Sequence, residues 1–199
     1  GALVDETVPV TIKTRKGEKV VSDDEQPGNA NIDKIPTLRP AFKEGGTVTA
    51  ANSSSISDGA SALVLASESA VNSLDLKPMA KIVAHATNSR DPSEFTLAPI
   101  GAIEKLLTKT GWQKDDVDLF EINEAFAMVT MLAIRELGLD PEKVNIHGGA
   151  CAQGHPIGST GSRIIVTLMY ALKKLGKTRG IAALCIGGGE ATAIAIEMV

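Results

Sequence analysis

Residues 117–137 read VDLFEINEAFAMVTMLAIREL, and this stretch decides the fold. Apolar residues dominate its first part, which predicts a strand over Val117–Ile122. They recur at helical spacing in its second part, which predicts a helix over Ala125–Leu137. A strand that passes directly into a helix is the repeating unit of α/β proteins. The stretch therefore indicates an α/β fold, with Asn123 at the point where the strand ends.

The same alternation continues on both sides of this stretch, from about Lys77 onward. Together the predicted elements have the order βαβαβαββ: strand Lys81–Ala86, helix Pro99–Thr110, strand Val117–Ile122, helix Ala125–Leu137, strand Val144–Ile146, helix Ser162–Leu175, strand Gly180–Ile186 and strand Thr192–Met198. The βα units imply parallel strands, and the short Gly-rich turn before the last strand implies an antiparallel hairpin. We therefore expect a mixed five-stranded sheet, with Gly111 and Gly176 ending two helices.

The first 76 residues do not show the pattern of a complete domain. A hairpin is predicted from Thr7–Lys13 back through Val20–Val21, and a buried strand over Ala60–Ala66 precedes a helix over Glu68–Leu74 that Ser67 caps. The apolar residues are too few to hold a core alone. We therefore expect the Ala60–Ala66 strand to be exposed, which favours association of chains or disorder of this block.

Composition excludes several classes of function. Hydrophobic residues make up 43%, charged residues 22%, and the formal net charge is -4. This acidic balance argues against a nucleic-acid partner, and no apolar stretch is long enough to span a bilayer. The two cysteines, Cys151 and Cys185, do not form a disulfide framework, so we expect a reducing, cytoplasmic location. No metal site is expected.

Three turns combine reactive side chains with the ends of predicted elements. Asn123 ends a strand, His155 lies in a Gly-rich loop before a long helix, and Cys185 ends a strand before the run Gly187–Gly189. Each has an ordinary structural interpretation: a helix N-cap, a hydrogen-bonded histidine and a buried inert thiol. Because ligands bind at such sheet edges, the three together indicate carbonyl or thioester chemistry.

Local electrostatics add two expectations. The positive end of the following helix should disfavour the imidazolium form of His155 and keep it able to accept a proton. Consecutive glycines can turn their N–H groups inward around an anion, and the Cys185 thiol beside them is a plausible base or nucleophile that these amide dipoles can assist.

At this point the sequence resembles a known family. The segments Asn123–Phe126, Gly154–Gly158 and Cys185–Gly189 are similar, in order and in separation, to the three C-terminal motifs of the thiolases. Residues 47–60 resemble the thiolase segment that contacts coenzyme A and re-enters the N-terminal domain. The resemblance covers essentially the whole chain and implies a thiolase-like layered fold. It assigns residues 1–55 to the end of the loop domain, 56–76 to a strand-helix return into the N-terminal domain, and 77–199 to the C-terminal domain.

Thiolases make or cleave 3-ketoacyl-CoA thioesters by Claisen chemistry through an acyl-cysteine. The resemblance implies that His155 deprotonates the nucleophilic cysteine and helps to bind the thioester oxygen, while Asn123 holds a water that completes that oxyanion site. Cys185 would exchange the α-proton, and the N–H of Gly187 would belong to a second oxyanion hole. Residues implied to contact the coenzyme A thioester, which is substrate and not cofactor, are Ser54, Ala50 and Phe126.

The motifs also suggest a branch of the family. The Asn123–Phe126 motif disfavours the sterol-carrier type, and the three glycines after Cys185 favour acetoacetyl-CoA thiolases (acetyl-CoA C-acetyltransferases) over degradative 3-ketoacyl-CoA thiolases. Neither cysteine matches the nucleophile's motif, which belongs to the N-terminal half. The resemblance therefore implies a chain that is inactive alone, that pairs with its own N-terminal half, and that forms a homodimer or homotetramer acting on acetyl-CoA and acetoacetyl-CoA.

Some alternatives remain open at this point. The chain could be a non-catalytic acyl-CoA-binding module, or a hydrolase in which Cys185, His155 and Asn123 form a catalytic triad. In addition, residues 25–30 lack the basic side chain expected beside the nucleotide end of coenzyme A.

Overall fold

The computed structural model describes residues 1–199. In chain order its regular elements are β1 Val10–Thr14, β2 Gly17–Val21, α1 Glu25–Gly28, α2 Glu68–Ser73, β3 Ala80–Ser89, α3 Ala98–Thr110, β4 Leu119–Ile122, α4 Ala127–Leu137, α5 Ala150–Gln153, α6 Thr160–Leu175, β5 Arg179–Ile186 and β6 Glu190–Met198. Short 3₁₀ turns cover Ile32–Thr37, Pro92–Leu97, Lys114–Asp116 and Pro141–Lys143.

Four of the strands form one mixed sheet with the order β3-β6-β5-β4. Strands β4 and β5 are parallel, and β6 is antiparallel to both of its neighbours. Strands β3, β4 and β5 therefore all point in one direction. Their carboxyl ends lie at the same edge of the sheet, which is the edge that positions the candidate site.

Alternate side chains of each strand pack on opposite faces of the sheet. In β5, Ile181, Ala183 and Cys185 belong to a core of 19 buried residues on the side of α3 and α4. Ala182 belongs to a second core of only 7 buried residues on the side of α6. Helix α6 covers only part of its face, and a groove of about 170 Å³ lies beside it.

The predicted fold class and most of the predicted C-terminal elements are confirmed. The sheet is mixed, and its last two strands form an antiparallel hairpin. Gly111 and Gly176 end α3 and α6 in the left-handed conformation, with φ of 71° and 62°. Helix α4 starts two residues later than predicted because Phe126 is extended and bridges Ser53.

The fifth predicted strand, Val144–Ile146, is wrong as a strand. Only Val144 pairs with the sheet, through a single parallel bridge to Phe120. The next residue, Asn145, has a φ of 49° and turns the chain away from β4. Strand pairing therefore lasts for one residue, although both Val144 and Ile146 are apolar.

The strand predicted over Ala60–Ala66 is also wrong. These residues form no regular structure, since no strand lies beside them to complete a ladder, and Val64 is 97% exposed. The hairpin of β1 and β2 is confirmed. So is the cap of α2, where the Ser67 hydroxyl accepts a hydrogen bond from the Ala70 N–H at 3.2 Å. No helix of the chain combines the length and apolar character needed to cross a bilayer.

Candidate active site

Asn123 and Cys185 lie at the same edge of the sheet, as predicted. Ile122 pairs with Ala183, and the N–H of Asn123 continues the ladder by donating to the Ala183 carbonyl at 2.9 Å. Cys185 stands two residues further along β5. The ends of two adjacent parallel strands therefore hold both side chains.

The bridging segment, residues 52–56, connects this edge to His155. The N–H and hydroxyl of Ser54 both donate to the Ala125 carbonyl, at 3.2 and 3.0 Å, in the turn after β4. The next carbonyl, that of Ser55, accepts a hydrogen bond from the His155 N–H at 2.9 Å. One short extended segment thus pairs with the Asn123 turn and with the histidine loop, and brings the two predicted motifs together.

The ring of His155 is held by Thr160, the first residue of α6, which is fully buried. Thr160 Oγ1 lies 2.6 Å from His155 Nδ1 and 3.0 Å from the Pro156 carbonyl oxygen. The carbonyl can only accept, so the hydroxyl proton goes to Pro156 and Oγ1 accepts from Nδ1–H. This arrangement assigns the proton to Nδ1 and leaves Nε2 able to accept one.

His155 is favoured in its neutral form. Burial lowers the pKa of the imidazole, and the positive charge of Arg163 lowers it further. The direction agrees with the sequence-based expectation, and the causes are burial and the guanidinium of Arg163.

Cys185 differs from the expectation. Burial raises the pKa of its thiol, and a backbone hydrogen bond opposes this only partly. The physical reason is its position in β5, where its side chain packs with the apolar core while the glycine N–H groups lie beyond the strand end. In this chain Cys185 is therefore protonated at neutral pH.

The glycine run after Cys185 makes the turn between β5 and β6. Gly189 has a φ of 88°, and a Cβ there would come within 2.5 Å of the Arg90 carbonyl oxygen, so only glycine fits. Gly187 is exposed, and its N–H donates to no other group of the chain. That N–H is free to bind an oxygen of a ligand.

Asn123 is not the N-cap of α4, because Phe126 occupies that position. Its side chain is only 2% exposed, yet neither Nδ2 nor Oδ1 has a hydrogen-bond partner within the chain. Buried amides are nearly always hydrogen-bonded in folded proteins, so an unpartnered one marks a candidate functional group.

The three residues predicted to contact coenzyme A differ in their contacts and in their position relative to this edge of the sheet. Ser54 belongs to the bridging segment, where its hydroxyl donates to Ala125 and keeps its lone pairs free. The Phe126 ring packs edge-to-face on Phe42 and Phe95, with centroids 6.0 and 6.2 Å away. Ala50 is exposed in the turn that precedes the bridging segment.

The other cysteine and the other two histidines lie outside the three predicted motifs. Burial raises the pKa of Cys151 to about 12, and the nearby Glu124 carboxylate adds to this effect. His85 is exposed on β3, and His147 is partly buried. The Nε2 of His147 is buried without a hydrogen-bond partner in the chain, as the Asn123 amide is.

Sequence reasoning missed several residues that shape the site. Glu121 is buried in β4, where burial raises the pKa of its carboxyl to about 8 despite the nearby Arg163. A carboxylate inside an apolar strand was the signal that could have found it. Thr160, Glu124 and Asn145 gave no such signal, because their roles depend on contacts between distant segments.

Comparisons with known proteins show the family to which the chain is similar. The family model described as thiolase, C-terminal domain, matches residues 76–198, and the one described as thiolase, N-terminal domain, matches residues 1–69. The acetyl-CoA acetyltransferase of Schizosaccharomyces pombe is 50% identical over 200 residues, which cover 100% of this chain and 51% of that protein.

Solved structures give the same result. A crystal structure of the Bacillus anthracis acetyl-CoA acetyltransferase superposes with a TM-score of 0.96 at 45% identity, covering 100% of this chain and 51% of that one. A thiolase from Ascaris suum in complex with coenzyme A gives a TM-score of 0.92 at 44% identity, covering 100% and 50%. The chain thus spans about half the length of the proteins it matches.

Proposed function

This chain belongs to the thiolase family, and we propose that it forms the C-terminal half of an acetyl-CoA acetyltransferase. The substrates would be acetyl-CoA, acetoacetyl-CoA and other short 3-ketoacyl-CoA thioesters. The observation that carries the proposal is the bridging segment, which joins the turn holding Asn123 to the loop holding His155 beside the end of β5. The proposed domains are residues 1–55, 56–76 and 77–199.

His155 would act on the nucleophilic cysteine of the N-terminal half. Its neutral ring offers Nε2 as a proton acceptor, while Thr160 keeps the Nδ1 proton hydrogen-bonded. After taking the cysteine proton, Nε2–H could donate to the oxygen of the bound thioester. Because Thr160 accepts from Nδ1–H in both states, the ring need not rotate between the two roles.

The buried, unpartnered amide of Asn123 would hold the water that completes this oxyanion site. Its own chain offers it no competing partner, so the amide is free to orient that water. Such preorganised donors stabilise the negative charge that develops on the carbonyl oxygen.

Cys185 would supply the proton in the direction of cleavage. The nucleophilic cysteine attacks the 3-keto carbon, the carbon–carbon bond breaks, and the α-carbon of the departing acetyl-CoA takes the thiol proton. The raised pKa of Cys185 suits this step, since the thiol is protonated beforehand. The free N–H of Gly187 would stabilise the oxygen of the 3-keto carbon while the nucleophilic cysteine is attached to it.

Coenzyme A would lie along the bridging segment, with Ser54 on the pantetheine and Phe126 and Ala50 lining the path of the acyl group. The Gln26 side chain hydrogen-bonds to Ser55 and Ser57, so the loop of residues 25–30 also lies beside this path. That loop carries no basic residue, so any cation that meets the nucleotide end must come from another segment.

The N-terminal half would cover the apolar surface that this chain exposes. Val64 and Leu65 are 97% and 74% exposed, and the groove beside α6 opens on the sheet face that has the smaller core. Large exposed apolar patches of this kind are typical of interfaces. We propose a homodimer or homotetramer of the complete enzyme in the cytoplasm.

Turnover assays test this function. We define the joined enzyme as this chain following a thiolase N-terminal half. The chain alone should not cleave acetoacetyl-CoA with coenzyme A, and the joined enzyme should. Cys185→Ser and His155→Ala should each lower kcat of the joined enzyme by about 100-fold or more, the range of a lost acid-base group. Full activity in both variants would reject the proposal.

The alternative with Cys185 as the nucleophile of a hydrolase is disfavoured, because a nucleophilic cysteine needs a lowered thiol pKa and that of Cys185 is raised. Mass spectrometry after incubation with acetyl-CoA distinguishes the two. An acyl group on Cys185 would support the hydrolase.

A further inference from the structure

The chain leaves the sheet at Asn145 in an unusual way. Val144 forms one parallel bridge with Phe120, and the Asn145 N–H donates to the Phe120 carbonyl at 2.9 Å. Asn145 then adopts a φ of 49°, a conformation that asparagine tolerates better than most residues. The backbone therefore stops pairing with β4 at Phe120, three residues before Asn123.

The side chain of Asn145 continues the pairing that its backbone abandons. Its Oδ1 accepts from the Ile122 N–H at 2.8 Å, and its Nδ2 donates to the Ile122 carbonyl at 2.8 Å. These are the two backbone groups of Ile122 that a fifth strand would satisfy. One amide thus closes the open edge of β4 at the residue directly before Asn123.

The same amide reaches the histidine loop through Glu124. Asn145 Nδ2 lies 3.3 Å from Glu124 Oε1, while Glu124 Oε2 accepts from the Cys151 N–H at 3.0 Å. Cys151 belongs to α5, which leads through Gly154 to His155. A Cβ at Gly149 would come within 2.4 Å of the Glu124 carboxylate, so the loop packs directly on this contact.

We propose that Asn145 is a positioning residue for the thiolase reaction, a role that rests on the proposed function. It fixes the turn after β4 on one side and the start of the histidine loop on the other. The Asn123 amide has no side-chain partner of its own, so the backbone around it sets its direction. Asn145 therefore sets how Asn123 and His155 face each other.

Two substitutions in the joined enzyme test this role. Asn145→Gly keeps the left-handed backbone and removes only the side chain. Asn145→Asp keeps the shape but replaces the Nδ2 donor with an oxygen that faces the Glu124 carboxylate and the Ile122 carbonyl. Each should lower kcat by up to about 100-fold, as expected for a small displacement of reacting groups. The KM for acetoacetyl-CoA should stay within about twofold of its original value, because no substrate contact is lost.

A double variant makes the test specific. In Asn145→Asp with Glu124→Gln, the new amide can donate to Asp at position 145 while its oxygen still accepts from the Cys151 N–H. We expect kcat to recover at least about tenfold relative to Asn145→Asp alone, an interaction between neighbours that a double-mutant cycle measures. A general loss of stability would not be repaired by this second change.

Asn88→Asp is the matched control. Asn88 is also partly buried, but it lies on β3, which β6 and β5 separate from β4, and its Oδ1 faces Lys105 Nζ at 2.8 Å, which tolerates a negative charge. Its kcat should remain within about twofold of the unmodified enzyme. Hydrogen exchange gives a readout independent of turnover: the Ile122 amide should exchange faster in Asn145→Gly.

The outcomes separate the two levels of inference. An active joined enzyme whose kcat is unchanged by both Asn145 variants, or whose KM alone rises, would overturn the positioning role. Faster Ile122 exchange together with unchanged kcat would overturn it as well. A joined enzyme that is folded, protects the Ile122 amide and still lacks thiolase activity would reject the proposed function instead.

Discussion

Thr160 Oγ1 accepts a hydrogen bond of 2.6 Å from Nδ1 of His155 and donates its own proton to the Pro156 carbonyl. Thr160→Val keeps the shape of this buried side chain but removes the acceptor for Nδ1–H. We expect kcat of the joined enzyme to fall about 10- to 100-fold, the value of a hydrogen bond to a charged group.

Thr160→Ser should retain most activity. Thr110→Val is the control and should change kcat little, because the Thr110 hydroxyl bonds only at the end of α3, to the Leu106 and Leu107 carbonyls and the Trp112 N–H. Equal activity of the Val and Ser variants would contradict the assigned tautomer.

The acid limb of the pH profile should report on His155. Burial and Arg163 lower the pKa of its imidazole, so the neutral form persists below the usual range and kcat/KM should decline only at more acidic pH. In Arg163→Gln the second cause is removed and the pKa of His155 should rise, which moves the acid limb to higher pH. The measurement is kcat/KM of the joined enzyme against pH for both proteins. A shift in the opposite direction would show that Arg163 does not act on this group.

Glu121 should make stability depend on pH. Burial raises the pKa of its carboxyl from 4.5 to about 8, so the folded chain binds a proton that the unfolded chain releases between these values. The free energy of unfolding should therefore fall as pH rises through that window, by on the order of 1 kcal/mol per pH unit. Glu121→Gln imitates the neutral carboxyl and should flatten the dependence. Urea unfolding of the chain from pH 5 to 8 tests this, and parallel curves for the two proteins would refute it.

Gly189 should not tolerate a side chain. Its left-handed φ of 88° and the approach of the Arg90 carbonyl oxygen to within 2.5 Å of a Cβ make Gly189→Ala strained. We expect a loss of about 2 kcal/mol or more in the free energy of unfolding. Gly187→Ala is the comparison, since a Cβ there meets nothing within 4 Å. Denaturant titration should show the first variant much less stable than the second, and equal stabilities would be inconsistent with the turn geometry.

The exposed residues 56–76 should make the isolated chain associate. Val64, Leu65 and Leu74 are 97%, 74% and 67% exposed, and they lie on the part assigned to the N-terminal domain. Light scattering after size-exclusion chromatography should show oligomers or aggregates of the chain alone, and the joined enzyme should protect the amides of residues 56–76 from hydrogen exchange. A monodisperse monomer whose residues 1–76 are fully protected from hydrogen exchange would contradict the expectation that this surface needs a partner.

The periodicity of apolar residues predicted most of the regular elements in the C-terminal part of the chain. Helices α3, α4 and α6 and strands β5 and β6 were found because each buries one face or stripe over many residues. The predictions for residues 144–146 and 60–66 failed for a shared reason: both segments are short, and strand pairing depends on a neighbour that the local sequence does not specify. The positions of Asn123 and Cys185 at one edge followed from strand direction.

The contacts that hold the candidate site residues in place could not be predicted from periodicity. Thr160 is five residues from His155, but its contact depends on how the loop enters α6. The Asn145 side chain bonds to Ile122, 23 residues away in sequence, and the composition of this segment does not indicate the left-handed backbone of Asn145. The raised pKa of Cys185 follows from which face of β5 it occupies beside the apolar core.

The place of β6 between β3 and β5 has a consequence for synthesis on the ribosome. Strand β3 has no partner in the sheet other than β6, so a nascent chain that ends before Glu190 holds β3 apart from the pair β4 and β5. Strand β3 and the pair β4 and β5 become one sheet only when β6 has been translated and pairs with both β3 and β5. Until then the nascent polypeptide carries unpaired strand edges on β3 and β5. Completion of the sheet depends on the nine residues of β6 leaving the exit tunnel.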